Sequence, residues 1–252
     1  MVGGTVLGVV AATRPLQVRG VPILRYRVVG PPLPGSPLNE LRVPISKFEA
    51  QIRHLGRRGF RAVTLGEALS ERGSSRFLAR NPICLTFDGP YASLETVALP
   101  ILRSYGLNVA TVFYPPECLG QSQLRFTEGR PEPVLDPDAL RRLGHQGIQI
   151  GVQAIFRADG EAESIGSVLR AGRQAVADLT GEPANLVSLP FPAPLAMEAA
   201  RLAGFDGAAT LGDGVLFPRS SRFAIPRFAV TPKATLVEVA LVVSRRVGKT
   251  RW

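Results

Sequence analysis

Residues 83–114 decide the fold, and they read ICLTFDGPYASLETVALPILRSYGLNVATVFY. The apolar run Ile83–Phe87 predicts a buried strand that ends abruptly at an acid, Asp88. An amphipathic helix is expected over Tyr91–Tyr105, and a second apolar strand over Leu107–Phe113. In α/β folds, the C-terminal ends of buried strands are where chemistry is usually placed. Asp88 is therefore the first candidate site residue.

The alternation of strand and helix patterns continues from residue 21 to the end of the chain. Repeated βα units with short connections predict a mostly parallel sheet covered by helices. Within them, Ser46-Lys47-Phe48-Glu49 predicts a capping box that opens a helix running to about Arg58. No internal repeat or long linker divides the chain, which is long enough to bury a sizeable core. We expect residues 1–19 to be an N-terminal extension, either disordered or a leader remnant, and residues 20–252 to be one domain.

The chain is strongly basic, with 30 Lys and Arg against 20 Asp and Glu and a formal net charge of +10. This charge favours anionic partners. The arginines are scattered in short pairs, and no zinc-finger spacing, aromatic RNA-stacking motif or basic heptad helix accompanies them, so nucleic acid is not expected as a partner. Cys84 falls in the apolar strand and Cys118 in a loop, which indicates neither a disulfide framework nor a CxxC metal site.

The N-terminal stretch MVGGTVLGVVAAT is apolar but too short to span a bilayer. It also lacks the positive region of a secretion signal, because the first charge is Arg14. No transmembrane segment is predicted, and the sequence leaves the localisation open.

The stretch at residues 83–114 resembles the first motif of the polysaccharide deacetylase family (the NodB homology domain). The family's Thr-Phe-Asp-Asp-Gly stands here as Thr86-Phe87-Asp88-Gly89-Pro90. The similarity is collinear over roughly residues 20–245; residues 45–69, for example, resemble the family's first helix and second strand. The resemblance implies a distorted, TIM-like (β/α)7-type barrel over residues 20–252, in a family that is usually extracytoplasmic.

The resemblance also implies a metal site, and the departures from the family fall on it. The family's metal, commonly zinc, is held by an Asp and two His spaced four apart. These positions are occupied here by Gly89, Gln153 and Arg157. Glycine has no ligand atom, glutamine is a weak neutral donor, and arginine stays cationic. The family's opening Tyr-His is Tyr26-Arg27, and its Tyr-Pro-Tyr-Gly is Leu189-Pro190-Phe191-Pro192.

No histidine remains for the family's metal site, because His54 and His145 both fall on predicted helices away from the strand ends. We therefore predict no metal and no other cofactor. In the family, the first Asp of the motif is the base that activates metal-bound water. For Asp88, the alternatives are a base in a rebuilt site or a carboxylate that only caps the turn after its strand. An isolated carboxylate with a pKa near 4 is a poor base for water.

Arginine and aromatic side chains are expected around Asp88. Guanidinium groups bind carboxylate or phosphate, and aromatic rings stack on sugars. We predict an ion pair between Arg157 and Asp88, with an exposed arginine as the alternative. Arg227 matches a frequent family position and is expected to bridge strand ends. Core packing is the alternative for Tyr26 and Phe191. The predicted substrate or anion pocket consists of Arg25, Tyr26, Arg27, Tyr91, Gln153, Arg157 and Phe191.

The leading hypothesis is a pseudoenzyme: a catalytically impaired or inactive deacetylase-like protein that keeps the barrel and a groove for an anionic glycan or another anion. It would act by binding such a ligand or as the partner subunit of another protein. The alternative is an active carbohydrate deacetylase or amide hydrolase, with Asp88 as base and without the usual Asp-His-His metal site. Members of the family hydrolyse C–N bonds other than peptide bonds. A basic scaffold that binds nucleic acid is the third hypothesis, and it predicts a steep salt dependence.

Overall fold

In the computed structural model, the described residues are 17–124, 130–155, 162–244 and 247–249. Most of the predicted N-terminal extension, residues 1–16, lies outside these ranges. Arg157 also lies outside them, so its predicted ion pair with Asp88 stays a prediction.

Strands recur along the whole described chain. They are β1 (Gln17–Arg19), β2 (Val21–Tyr26), β3 (Val28–Val29), β4 (Arg42–Val43), β5 (Arg61–Val63), β6 (Pro82–Asp88), β7 (Thr111–Tyr114), β8 (Gln123–Leu124), β9 (Glu132–Pro133), β10 (Gln149–Gln153), β11 (Leu186–Ser188), β12 (Gly207–Leu211), β13 (Val215–Leu216), β14 (Ile225–Ala229) and β15 (Val247–Lys249).

Helices separate most of the strands that form the main sheet. They are α1 (Ile45–Arg57), α2 (Leu65–Glu71), α3 (Ser75–Ala79), α4 (Leu99–Ser104), α5 (Pro137–His145), α6 (Ala162–Thr180), α7 (Pro194–Leu202) and α8 (Leu236–Ser244), with short 3-10 helices at Pro37–Leu41 and Pro116–Cys118. Within the described residues, no helix is both long and apolar enough to cross a membrane.

Seven parallel strands close into a barrel, which confirms the predicted (β/α)7-type fold. The order around it is β2, β6, β7, β10, β11, β12 and β14, and β14 pairs with β2 to complete the ring. Strand β5 adds to β6 outside the ring, and β13 pairs antiparallel with β2. The C-terminal ends of all seven strands therefore lie at one mouth of the barrel.

Alternation along each strand sorts side chains between the inside of the barrel and the layer of helices. In β2, Leu24 and Tyr26 pack in the large cluster with the helices, whereas Val21 and Ile23 belong to a separate cluster with Cys84. This follows from the two-residue period of a strand. Arg25 shares the face of Ile23, so it points into the mouth of the barrel.

Helix α1 buries the predicted face, with Phe48 and Ile52 in the core. The predicted capping box is wrong. The helix begins at Ile45 with Pro44 at the cap position and no side-chain cap hydrogen bond, so Ser46 already lies inside the first turn. Glu49 instead accepts a hydrogen bond of 2.9 Å from the Tyr105 hydroxyl.

The helix predicted over Tyr91–Tyr105 is shorter and irregular. A π-helical turn spans Leu94–Ala98, in which the Leu99 N–H donates to the Leu94 carbonyl oxygen, and α4 follows. Pro100, in the first turn of α4, has no N–H to donate, so the regular pattern of hydrogen bonds cannot continue through it.

Past the barrel, β1 pairs antiparallel with β15, with Gln17 opposite Lys249.

Candidate functional site

Asp88 is the last residue of β6 and lies at the mouth of the barrel, only 2% exposed. Arg227 on β14 donates to both of its carboxylate oxygens, with 2.6 Å from Nη1 to Oδ1 and 3.0 Å from Nη2 to Oδ2. Arg25 on β2 donates from Nε to Oδ2 at 2.6 Å. Two guanidinium groups from two different strands therefore hold one buried carboxylate.

Arg227 also bridges the ends of several strands, as expected for this position. Its Nη2 donates to the Ser188 hydroxyl at 2.7 Å, and that hydroxyl in turn donates to Asp88 Oδ2 at 3.0 Å. Its Nε donates to the Thr210 carbonyl oxygen at 3.3 Å, and its guanidinium carbon lies 5.0 Å from the centre of the Phe113 ring. The side chain is 1% exposed, so its position is fixed by contacts on every side.

The carboxylate of Asp88 is held in its ionised form. Burial by itself would raise the pKa of Asp88, but the charges of Arg227 and Arg25, together with their hydrogen bonds, outweigh burial and hold that pKa well below its ordinary value. Asp88 therefore carries a full negative charge throughout the neutral range.

A cavity of about 150 Å³ opens beside this network. Its polar lining consists of Arg25, Arg27, Asp88, Gln153, Ser188 and Arg227. Three arginines and one aspartate give this lining a net formal charge of +2. The cavity is therefore small and electropositive, although it contains a buried acid.

Two polar groups of the lining have no partner among the described residues. The Nε atom of Arg27 and the Oε1 atom of Gln153 are buried without a hydrogen bond. Gln153 is the last residue of β10 and is only 8% exposed. Because buried polar groups in proteins are nearly always hydrogen-bonded, these two atoms are unusual.

The structure brings together four of the residues expected at the site, namely Asp88, Arg25, Arg27 and Gln153. Tyr26 lies in the core rather than at the mouth, which is the alternative named for it and corrects its place in the predicted pocket. Its side chain is fully buried, and its hydroxyl donates to Gln51 of α1 at 3.0 Å. Successive side chains of a strand point to opposite faces of the sheet, so Tyr26 points away from the face that carries Arg25.

Phe191 and Tyr91 do not line the cavity. Phe191 is half-buried in the loop after β11. Tyr91 is 5% exposed and packs with Val28 and Leu38 in a small separate cluster. The predicted place of Tyr91 in the pocket is therefore also wrong. The turn that follows Asp88 directs this side chain away from the cavity.

Gly89 forms that turn and has a positive φ of 113°. A Cβ atom placed on it would lie 2.2 Å from Cε2 of Tyr91. Both the backbone conformation and the space therefore require glycine here. An aspartate at this position has no room in this turn.

The residues at the mouth do not suit a divalent cation. Gly89 offers no ligand atom, Gln153 offers one neutral amide, and Asp88 already accepts hydrogen bonds from two cations. Over the described part of the chain, no group of three or more His, Cys, Asp or Glu is placed to hold a metal ion. His54 lies on α1 and His145 at the exposed end of α5, both away from the mouth as expected.

Sequence reasoning missed Ser188 and a buried ion pair between Arg42 and Glu132. Ser188 ends β11 as Asp88 ends β6, so its position at a strand end was the available signal. Arg42 on β4 binds Glu132 with distances of 2.5 Å and 3.3 Å, and each side chain is 4% exposed. Arg42 and Glu132 are 90 positions apart, and no local sequence pattern predicts that they pair.

The chain is a closed barrel of seven parallel strands with an aspartate at its C-terminal mouth, and solved structures of other proteins share this fold. The deacetylase PplD of Streptococcus pyogenes, solved in complex with acetate, superposes with a TM-score of 0.75 at 14% identity, covering 91% of this chain and 99% of that one. IcaB from Ammonifex degensii gives 0.75 at 21% identity, covering 90% and 98%.

Sequence similarity is weaker. No family model matches the chain. YxkH of Bacillus subtilis (strain 168), which is named as a polysaccharide deacetylase, is 28% identical over 130 residues, or 52% of this chain and 40% of that relative. The structural likeness shows a polysaccharide deacetylase-like fold, and the partial sequence match to YxkH agrees with it.

Proposed function

We propose that this chain is a catalytically inactive deacetylase-like protein that uses the mouth of its barrel to bind an anion. One observation carries the proposal: the carboxylate that would act as base accepts hydrogen bonds from Arg25, Arg227 and Ser188. The anion would be an acidic glycan or another small anionic compound.

The hydrogen bonds of Asp88 argue against the alternative of a metal-independent hydrolase. A general base must accept a proton from water, and it works best with a pKa near the operating pH. Asp88 has a pKa below its ordinary value, and its oxygens are engaged by two cations. It is therefore both too weak a base and too fully hydrogen-bonded to take a proton from water.

The chemistry of the donor set argues in the same direction. The guanidinium groups of Arg25 and Arg227 are cations and would repel a further cation placed beside Asp88. The turn at Gly89 has no space for a further carboxylate. The same positive groups that disfavour a cation favour an anion at this mouth.

The test is to incubate the purified protein with zinc, remove unbound metal and measure both bound metal and acetate release from N-acetylglucosamine oligomers. We expect far less than one zinc per chain and no acetate above a protein-free control, with or without a chelator. Stoichiometric zinc would overturn the proposal. Acetate release would also overturn it, and release that is lost in an Asp88→Asn variant shown to be folded would assign the base to Asp88.

A further inference from the structure

We propose that the cavity beside Asp88 binds a carboxylate that carries a hydroxyl group close to it. Hydroxy acids and the uronic acids of acidic glycans share this chemistry. The inference rests on the proposed binding function and names the chemical group that the cavity recognises.

The donors for a carboxylate come from two arginines. Arg27 has a buried Nε atom with no partner among the described residues. Arg25 binds Asp88 through Nε alone, so within the described structure its two terminal amino groups are left for a ligand. Guanidinium groups donate parallel charge-assisted hydrogen bonds to oxyanions such as carboxylates. Both side chains line the same cavity.

The charge and size of the cavity favour a small anion. Asp88 lines the cavity and is ionised, but the three arginines of the lining outnumber it, so the net charge attracts an anion. A volume of about 150 Å³ is below the range of roughly 300–1,000 Å³ that is typical of ligand pockets. It therefore holds one small anion or only the anionic end of a larger molecule.

The need for a hydroxyl comes from Gln153. Its Oε1 atom is a buried acceptor with no donor among the described residues, and Gln153 is 8% exposed at the cavity wall. A carboxylate has no hydrogen to offer this oxygen, whereas a neighbouring hydroxyl does. A ligand that carries both groups would satisfy the unpartnered atoms of Arg27 and Gln153 together.

Calorimetric titration of the full chain at constant ionic strength tests this, with sodium glycolate against sodium acetate, which differ by one hydroxyl. We expect glycolate to bind about tenfold more tightly than acetate, and phosphate is titrated as the competing tetrahedral anion. Galacturonate serves as the arm for acidic glycans. Tighter binding of galacturonate than glycolate would indicate a glycan source, and weaker binding a free hydroxy acid, and both outcomes support the proposal.

Three variants separate the roles. Arg27→Gln should weaken glycolate and acetate alike, by about tenfold, because it removes a charged donor. Gln153→Met should leave acetate unchanged and remove the preference for glycolate. Arg61→Gln changes the charge equally at an exposed residue of β5 and should change neither affinity.

Several results would overturn the inference: no saturable glycolate binding, equal affinity for acetate and glycolate, tighter binding of phosphate, or unchanged affinity in Arg27→Gln. These are distinct from failure of the proposed function, which would appear as bound zinc or released acetate. A protein that prefers phosphate and releases no acetate would keep its proposed function and lose this ligand.

Discussion

Arg25 and Asp88 form an ion pair at the mouth of the barrel, with 2.6 Å between Nε and Oδ2. The predicted partner, Arg157, lies outside the described residues, and Arg25 on β2 is a guanidinium partner that was not predicted. With Arg227 on β14, the carboxylate has two positive partners. This arrangement makes Asp88 a structural counter-ion, and its consequences can be measured as stability.

Asp88→Asn should destabilise the fold strongly. The change leaves the fully buried Arg227 and the partly buried Arg25 without a counter-ion, and breaking a buried pair costs about 3–5 kcal/mol. Denaturant unfolding measures the loss. The matched control is Asp138→Asn, since Asp138 pairs with Arg141 on the surface and is 77% exposed. The control should change the free energy of unfolding by less than about 0.5 kcal/mol. A stable Asp88→Asn protein would refute the counter-ion role.

The pH dependence of stability follows from the lowered pKa of Asp88. A carboxyl whose pKa is lower in the folded state stabilises the fold above its unfolded value, and this contribution disappears as the pH falls toward the folded value. The ordinary value is 3.8. The difference in stability between the wild-type protein and Asp88→Asn should be constant above about pH 5 and shrink steadily below about pH 4. A difference that stays constant down to pH 2 would contradict the assignment.

Gly89→Asp should not create a metal site. The substitution places a side chain at a φ of 113° and 2.2 Å from the ring of Tyr91, so we expect a loss of at least about 1–3 kcal/mol in the free energy of unfolding. Elemental analysis should find no gain in bound zinc. Gly59→Asp is the control, because Gly59 also has a positive φ but no atom within 4 Å. It should lose less stability, and the difference between the two variants measures the clash with Tyr91.

The ion pair between Arg42 and Glu132 predicts a second stability effect. Glu132→Gln leaves Arg42 buried without its counter-ion, and we expect a loss of about 3–5 kcal/mol on thermal or denaturant unfolding. Glu198→Gln, which breaks an exposed pair with Arg201 on α7, should have little effect. Equal stability of the two variants would mean that the buried pair contributes no more than the exposed one.

The alternating βα pattern was sufficient for a parallel sheet covered by helices and for Asp88 at a strand end, because both are local patterns. The closed barrel, and Arg27 and Gln153 near Asp88, were predicted from the family resemblance. The pairing of Asp88 with Arg227 spans 139 residues and depends on the order of strands around the ring, so local patterns could not supply its geometry. Tyr26 was misplaced because a one-residue step along a strand changes the face.

The ring of Tyr91 against Gly89 has an evolutionary consequence. An acidic side chain could return after Asp88 only if the ring moved away at the same time, and loss of the ring alone would leave a void beside Val28 and Leu38. Either substitution alone, at Gly89 or at Tyr91, would lower the stability of the fold, so the intermediate sequences would fold poorly. Descendants of this chain are therefore expected to keep the glycine and the tyrosine together or to lose both.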